Sequence, residues 1–428
     1  MLSRARRLLR LKDGMEAVGD VIALGPAVIP VLEQLLRGPP ESIFEPRCLV
    51  ADTLGMIGGV RAVEALLRAL EDSLHRDLDP VLEYAELAVI NRIAENLGKL
   101  KDARSRQPLL QIMRQHAYPG VIRGLTELGE AEAIPWIVRA LSDDYARDAC
   151  SEALRKFGSR AVPALTAFLH EKSSVASQRG RAAAAGLLAE LGARNAVEPL
   201  RRALDDPSSM VRLGAAVALS SFPERKEAGK AVPVLLEFLA DEDLRQAEET
   251  MSALLNLRTF SEAALIHLIQ IEARDNSESR KVHRAVELLE KMASRAALEA
   301  ISRLHASPDE HLRFRALRAL IRIPRPDVVP LIAKFTRDPD PVLQKLVVEG
   351  LRQRGVQGAH ELVRALPRAG ISLKRRIFAA LFSMGPDAAL AMKISGATAK
   401  NRAQSITNRW VARRLKRIRT RRCGKATR

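Results

Sequence analysis

The chain has 428 residues, of which 47% are hydrophobic and only 4% aromatic, and its formal net charge is +18. Its three cysteines, Cys48, Cys150 and Cys423, are far apart and lack Cys-x-x-Cys spacing, which argues for a reducing compartment and against a disulfide framework or a zinc site. No apolar run reaches about 18 residues, so we expect no transmembrane segment and a cytoplasmic protein.

The amino-terminal segment, residues 1–14, is basic. Its first 12 residues hold five basic groups and no acidic one, and they lack the long apolar region of a secretory signal. In a eukaryote the segment could pass for a transit peptide. The interpretation that we favour is a basic first helix whose Leu8, Leu9 and Leu11 pack on the segment that follows.

Apolar segments with helical spacing recur through residues 15–386. Around residues 193–240, the near copies AVEPLRRAL and AVPVLLEFL flank a third apolar segment, and each has apolar residues at i, i+3, i+4 and i+7. This spacing predicts helices with one apolar face. Asp206 before Pro207 is a helix-start signal, because the carboxylate can cap free amides and proline fits the first turn.

The position of Pro233 in these segments recurs at steps of 27 to 44 residues. Two helices per step, without an intervening strand signal, predict an all-α fold, a right-handed α-solenoid of about 11–12 helix pairs. The recurring position is occupied by Pro30, Glu64, Pro108, Pro135, Pro163, Glu198, Pro233, Ala264, Ala297, Val329 and His360.

The units resemble HEAT repeats, in particular the short HEAT-like type of the phycobilisome lyase families. The resemblance rests on the Asp-Pro start, on the Ala-Val-Pro opening of the second helix, and on a Val/Leu-Arg pair in the first helix, as in Val211-Arg212 and Leu312-Arg313. It covers roughly residues 15 to 385 and implies the architecture. It implies little about activity, because one scaffold can carry many unrelated functions.

The carboxyl-terminal segment, residues 387–428, is predicted to be a basic amphipathic tail. After Asp387 it holds thirteen basic groups and no acidic one, so the two ends of the chain account for its whole excess charge. The tail helix could cap the solenoid, contact a polyanion, or do both, with nucleic acid favoured over an acidic lipid surface. The predicted polyanion-binding residues are Arg409, Arg413, Arg414, Lys416, Arg417, Arg419, Arg421 and Arg422.

Two enzyme classes with HEAT-like repeats provide alternatives. The architecture resembles deoxyhypusine hydroxylase, which holds two irons with His-Glu dyads, and this chain contains His170-Glu171 and His360-Glu361. The two dyads are at non-equivalent positions in their repeats, and two of the four that the family pattern needs are missing. A di-iron enzyme is therefore kept only as an alternative, and we expect neither a metal nor another cofactor.

A nucleic-acid-binding, glycosylase-like protein and a HEAT-like lyase are further alternatives. HEAT-like alkylpurine DNA glycosylases use tryptophans and an aspartate around the lesion, whereas this chain has only Trp136, in a repeat helix, and Trp410, in the tail. We find no local lyase signature and no catalytic constellation. The chain is therefore predicted to be non-enzymatic.

The favoured function is a scaffold that binds a protein or another macromolecule. The second helices of stacked pairs line a long concave face, and here their exposed positions mix both charges with a modest positive bias, which favours a protein or peptide partner over a bare duplex. The segment between Glu71 and Val81 is either a recognition loop or a plain connection. The predicted partner-binding residues are Trp136, Arg139, Arg201, Arg202 and Arg364.

Overall fold

The computed structural model describes residues 2–9, 14–39, 46–171, 175–222, 226–275 and 280–397. These residues form α-helices, short 3₁₀ turns and connections, and no β-strand occurs among them. The predicted all-α class is confirmed. The chain divides into two compact units, residues 1–231 and residues 232–428.

The described residues of the first unit form fourteen α-helices. They are α1 (Leu2–Ala5), α2 (Gly14–Ile22), α3 (Ile29–Leu36), α4 (Arg47–Ile57), α5 (Gly59–Leu74), α6 (Pro80–Leu100), α7 (Arg106–Gln115), α8 (Pro119–Glu127), α9 (Ile134–Arg139), α10 (Arg147–Phe157), α11 (Val162–Leu169), α12 (Val175–Glu190), α13 (Val197–Ala203) and α14 (Ser209–Leu219).

The described residues of the second unit form eleven α-helices, the first of which begins at the junction of the two units. They are α15 (Ala231–Phe238), α16 (Leu244–Asn256), α17 (Arg258–Asp275), α18 (Arg280–Met292), α19 (Arg295–Arg303), α20 (Glu310–Arg322), α21 (Val329–Ala333), α22 (Pro341–Arg352), α23 (Gly355–Ala365), α24 (Ile371–Met384) and α25 (Pro386–Ala397).

The helices from α2 onward alternate as the first and second members of successive pairs. Among the described residues, α2 to α13 are six pairs in the first unit and α16 to α25 are five pairs in the second, which agrees with the predicted number; α14 and α15 lie on either side of the boundary in the chain. Each unit has two layers, because its first helices contact one another in turn and so do most of its second helices. We call these the first-helix layer (even-numbered helices) and the second-helix layer (odd-numbered helices from α3).

Many second helices begin with a 3₁₀ turn and have proline in their first turn. Residues Gly158–Ala161 lead into α11, whose second residue is Pro163, and Pro326–Val328 lead into α21, whose second residue is Pro330. Proline suits this place because the first turn does not use its N–H and its fixed φ is helical. The predicted start of the second helix is confirmed at Pro163, Pro30 and Pro135, but it is wrong at Glu64 and His360, which occupy the same recurring position and lie inside the longer helices α5 and α23.

The expected helix cap at Asp206 is wrong. Helix α14 begins two residues further on, after Ser208, whose side chain makes no capping hydrogen bond. The Asp206 carboxylate instead accepts a hydrogen bond from the Ser208 backbone N–H at 2.9 Å and pairs with Arg181, which is nearly buried. Asp206 therefore fixes the turn that ends its own repeat and does not start the next helix.

The sequence Asp338-Pro339-Asp340-Pro341 separates these two roles. Asp340 is the N-cap of α22 and accepts hydrogen bonds from the first two N–H groups that follow Pro341, at 2.8 and 3.0 Å. Asp338, like Asp206, pairs with a nearly buried arginine, Arg313, at 2.7 Å between Nε and Oδ2. The first aspartate of the motif holds the turn, and the residue two positions later begins the helix.

The Val/Leu-Arg pair has a structural role in each repeat where it was identified. Val211 and Leu312 are fully buried. Arg313 donates from Nη1 to the carbonyl oxygens of residues 307 and 308 at 3.0 and 2.9 Å, and Arg212 donates to the carbonyl of residue 206 at 3.2 Å. The apolar member thus fills the core, and the arginine ties the preceding turn to its helix.

The core consists mainly of leucine, valine, alanine and isoleucine, as the composition predicts. Leu54, Leu97 and Ile93 are fully buried in the first unit, and Phe335 is a fully buried aromatic in the second. Leu8 at the amino terminus is also fully buried, which confirms its predicted packing. Such contacts stabilise helices that are too short to persist alone.

The two ends of the chain are only partly described. Residues Leu2–Ala5 form α1 and Arg6–Leu9 a 3₁₀ turn, which both contact α2. Of the segment predicted as a tail, residues 387–397 belong to α25, which contacts α23 and α24 and buries Ala388 and Ala391.

No single described helix is long and apolar enough to span a membrane. A pair of segments, Glu16–Ile22 and Gly25–Leu36, meets the length and composition requirements only when the two are taken together, and they are bent by 111° at their junction.

Candidate partner-binding surface

In the first unit, the structure places four of the predicted partner-binding residues in the second-helix layer. Trp136 and Arg139 lie on α9, and Arg201 and Arg202 lie on α13. Trp136 is half-buried and Arg139 is exposed. Arg139 forms no hydrogen bond or ion pair with any residue that the structure describes, so its guanidinium group is available to a partner.

The two arginines of α13 are partly neutralised within their own helix. Arg201 donates from Nε and Nη2 to the two carboxylate oxygens of Glu198 at 2.8 and 2.6 Å, and Arg202 approaches the same carboxylate at 3.4 Å. The hydrogen bond from Arg201 is the main cause that lowers the pKa of Glu198 to about 2. The side chain of Arg202 remains 66% exposed.

Towards the amino terminus, charges in the second-helix layer pair across neighbouring repeats. Arg68 on α5 donates to both carboxylate oxygens of Glu33 on α3, at 2.7 and 2.9 Å. This contact is the main cause that holds the pKa of Glu33 below its usual value. Arg104 donates to Glu64 on α5 at 3.0 Å. Such exposed pairs add little stability, but they leave fewer unpaired charges for a partner.

In the second unit, the predicted residue Arg364 lines a cavity of about 860 Å³. The cavity lies between the second helices α21 and α23, each with its 3₁₀ extension, and residues of the first helices α22 and α24 also line it. We call it the basic cavity, because the described residues that line it include four permanent cations and one carboxylate, that of Glu361. The cations are Lys334, Arg337, Arg364 and Arg368.

The four cations differ in their partners. Lys334 donates to the hydroxyl of Ser302 at 2.9 Å, and Arg364 pairs with Glu361 at 3.1 Å. Arg337 and Arg368 are exposed and form no hydrogen bond or ion pair with any described residue. Neither arginine is among the residues predicted from the sequence, although each follows an apolar core position of its second helix by a few residues, a signal that could have identified them.

The predicted polyanion-binding residues lie outside the part of the chain that the structure describes. They are Arg409, Arg413, Arg414, Lys416, Arg417, Arg419, Arg421 and Arg422.

The His-Glu dyads are not brought together with further metal ligands in the described part of the chain. His170 follows the end of α11, whereas His360 lies within α23, where its Nδ1 is 3.8 Å from Glu361. Among the described residues, no group of three or more His, Cys, Asp or Glu side chains is arranged to hold a metal ion. Burial raises the pKa of the Cys150 thiol to about 12, which makes it a poor nucleophile.

Sequence families match several parts of the chain. The family described as HEAT repeats matches residues 173–254, 266–352 and 297–381, and the family described as PBS lyase HEAT-like repeat matches residues 46–72. The chain is a HEAT-repeat protein. The predicted resemblance is therefore confirmed, without a specific member. No curated protein sequence matches this HEAT-repeat protein.

Several solved structures share the fold. Kap121p bound to Pho4p is 10% identical with a TM-score of 0.54, and the match covers 91% of this chain and 49% of Kap121p. Kap121p bound to Nup53p is 11% identical with a TM-score of 0.54, and the match covers 97% of this chain and 52% of Kap121p. A structure that describes the binding of Kap95p to RanGDP is 12% identical with a TM-score of 0.50, and the match covers 97% of this chain and 66% of the other chain.

The HEAT-repeat chain spans about half the length of the Kap121p structures that it matches. At these identities the likeness concerns the fold alone, which is an α-solenoid.

Proposed function

We propose that this HEAT-repeat protein is a non-enzymatic scaffold that binds a protein partner along its second-helix layer. The observation that carries the proposal is the set of exposed side chains in that layer that are not paired within the chain, namely Arg139 in the first unit and Arg337 and Arg368 in the second. Trp136, one turn before Arg139, adds an aromatic surface of the kind that concentrates binding energy at protein interfaces.

Solved proteins of the same fold support this direction by analogy. The Kap121p structures contain the protein partners Pho4p and Nup53p. A layered stack of short helices suits such partners, because each repeat offers a few contacts and the contacts add along the stack.

Affinity capture from extract of the native host, treated with nuclease, tests the proposal. We expect wild-type protein to retain a protein partner that the double variant Trp136→Ala, Arg139→Glu loses. The matched control is Tyr84→Ala, Lys99→Glu, which alters an exposed aromatic and an exposed cation on α6 in the first-helix layer. Equal capture by all three proteins would contradict the proposal.

We further propose that the basic carboxyl-terminal segment contacts a polyanion, with nucleic acid the favoured class. Twelve positive charges and no negative charge lie between residues 400 and 428. Contacts of this kind release counterions, so affinity should fall steeply as salt concentration rises. Truncation before residue 400 should abolish binding to generic DNA or RNA in mobility-shift assays at low salt. Equal binding by truncated and full-length protein would refute this part of the proposal.

A further inference from the structure

The basic cavity of the second unit has more positive charge than its surroundings neutralise. Glu361 is the only carboxylate among the described lining residues, and that group already pairs with Arg364. Arg337 and Arg368 are exposed and without partners among the described residues. Planar guanidinium groups with several free donors bind carboxylates through two parallel hydrogen bonds, so the chemistry of the rim favours carboxylate ligands.

The lining of the basic cavity also includes apolar side chains. Pro330 and Ala333 of α21, Ala365 of α23, and Ala369 and Leu373 near the start of α24 contribute to it. The three alanines are small and leave room for the side chains of a bound segment. A ligand that combines carboxylates with aliphatic groups would match both the arginines and the apolar part of the lining.

The start of α24 adds donors on one side. Its N-cap is Gly370, which lines the cavity, and no side chain caps the helix. The free N–H groups of the first turn and the positive end of the helix dipole favour a negatively charged group nearby. The start of α24 thus adds to the attraction that Arg337 and Arg368 exert on a negatively charged ligand, and it is not a binding site by itself.

We propose that the basic cavity binds an acidic peptide segment of a partner protein, in which Asp or Glu residues alternate with aliphatic residues. This inference rests on the proposed scaffold function and specifies the class of partner. The acidic side chains pair with Arg337 and Arg368 at the rim, and the aliphatic side chains lie over Ala333 and Ala365.

A single-stranded nucleic acid is the competing ligand, and the lining favours it less. Proteins that bind single strands combine cations with aromatic side chains on which bases stack. The described lining contains no Phe, Tyr or Trp side chain. The aliphatic side chains in the lining instead suit those of a peptide.

Fluorescence anisotropy of the full-length chain with a labelled Glu-Leu-rich peptide tests the inference, with the Gln-Leu counterpart as the comparison ligand. The cavity variant is Arg337→Glu, Arg368→Glu. The matched control, Arg318→Glu, Lys345→Glu, makes the same change in net charge on exposed residues of α20 and α22 that do not line the cavity. Both variants retain the basic tail, so any binding of the peptide by the tail is the same in both.

We expect the cavity variant to weaken binding of the acidic peptide by about tenfold or more, because each arginine loses charge-assisted hydrogen bonds. The control should change it by less than about twofold. The single variant Arg368→Gln, which removes one charge without reversing it, should show an intermediate loss. Circular dichroism and thermal melting establish that each variant is folded.

Any of three results would overturn the inference. The two double variants could weaken peptide binding equally, or the Glu and Gln peptides could bind equally well. Binding of an oligonucleotide could also depend on Arg337 and Arg368 while binding of the peptide does not. The scaffold proposal is tested separately, through Trp136 and Arg139 in the first unit. Capture of a protein through those two residues, with no cavity-dependent binding of the peptide, would support the scaffold proposal. The same pair of results would rule out the acidic peptide as the ligand of the basic cavity.

Discussion

Glu86 on α6 is a buried carboxylate that two arginines of the preceding repeat satisfy. Arg47 lies 2.5 Å and Arg76 lies 3.4 Å from its Oε2, and both arginines donate to the carbonyl oxygen of Gly38 at 2.7 Å. A buried charge is tolerated when it is paired and hydrogen-bonded. This network ties the connection between α5 and α6 to the end of the first repeat.

The Glu86→Gln variant should therefore be strongly destabilised, because it removes a buried carboxylate with which Arg47 and Arg76 both pair. We expect the free energy of unfolding to fall by about 3 kcal/mol, measured by urea denaturation followed by circular dichroism. Glu248→Gln, at an exposed position of α16, is the control and should change it by less than about 0.5 kcal/mol. Similar values for both variants would show that the network contributes nothing.

Glu130 gives stability a defined pH dependence. It is buried, and its hydrogen bond with Arg106 is the main cause that holds its pKa below the usual value of 4.5. A carboxyl with a lowered folded-state pKa stabilises the protein above its unfolded pKa. That stabilisation is lost as the pH falls through the lower, folded-state value.

Below about pH 5, the unfolding free energy of wild-type protein should fall more steeply than that of Glu130→Gln, because the variant has no carboxyl to protonate. Urea denaturation at a series of pH values measures the two slopes, and Glu248→Gln should keep the wild-type slope. Parallel curves for wild type and Glu130→Gln would contradict this assignment.

The contacts of individual polar side chains could not be predicted from the sequence. The polar segment between Glu71 and Val81 interrupts the repeat, and its sequence is compatible with either a recognition loop or a plain connection. In the structure, Arg76 points back to the first repeat and donates to the carbonyl oxygens of Arg37 and Gly38. A sequence shows which side chains are polar, but it does not show which of them form hydrogen bonds or ion pairs within the folded chain.

Helices α6 and α8 approach each other unusually closely through glycine. A Cβ atom placed on Gly98 would lie 2.4 Å from the Cα of Gly124, and one placed on Gly124 would lie 2.4 Å from the carbonyl oxygen of Ala94. These contacts involve backbone atoms, which cannot rotate away. The two helices would have to separate to admit a methyl group.

The Gly124→Ala variant should consequently lower the free energy of unfolding by about 2 kcal/mol, as in an overpacked core. Gly186→Ala on α12 is the matched control, because its Cβ would meet nothing within 4 Å. There alanine should stabilise the helix by about 0.5 to 1 kcal/mol. Thermal melting of the two variants tests the contrast. Opposite shifts are expected, and a tolerated Gly124→Ala would disprove the close approach.

At the level of helices, the period of the apolar residues was sufficient to predict the alternation of first and second helices. It was less informative about helix length. The longest step, from Glu64 to Pro108, suggested an inserted loop, whereas the structure uses these residues to lengthen α5 to 16 residues and α6 to 21. The polar end of a long helix and a polar loop have similar composition, so spacing alone cannot distinguish them.

At the level of the whole molecule, the distribution of unpaired charge was the least predictable property. The sequence correctly shows that residues 13–387 carry no net charge. Charges pair, however, with residues about one repeat away, as Arg68 does with Glu33 at a separation of 35 positions. A neutral sum therefore conceals the excess of cations in the basic cavity, which only the folded chain reveals.

Site-specific photo-cross-linking in the native host is the most direct test of the second-helix layer as the partner surface. A photoreactive amino acid is placed at Arg139 and Arg303, on second helices, and at Glu152 and Lys345, on first helices; all four positions are exposed. We predict protein adducts from Arg139 and Arg303 and none from Glu152 and Lys345. Adducts from the first-helix positions alone, or equally from all four, would contradict the account.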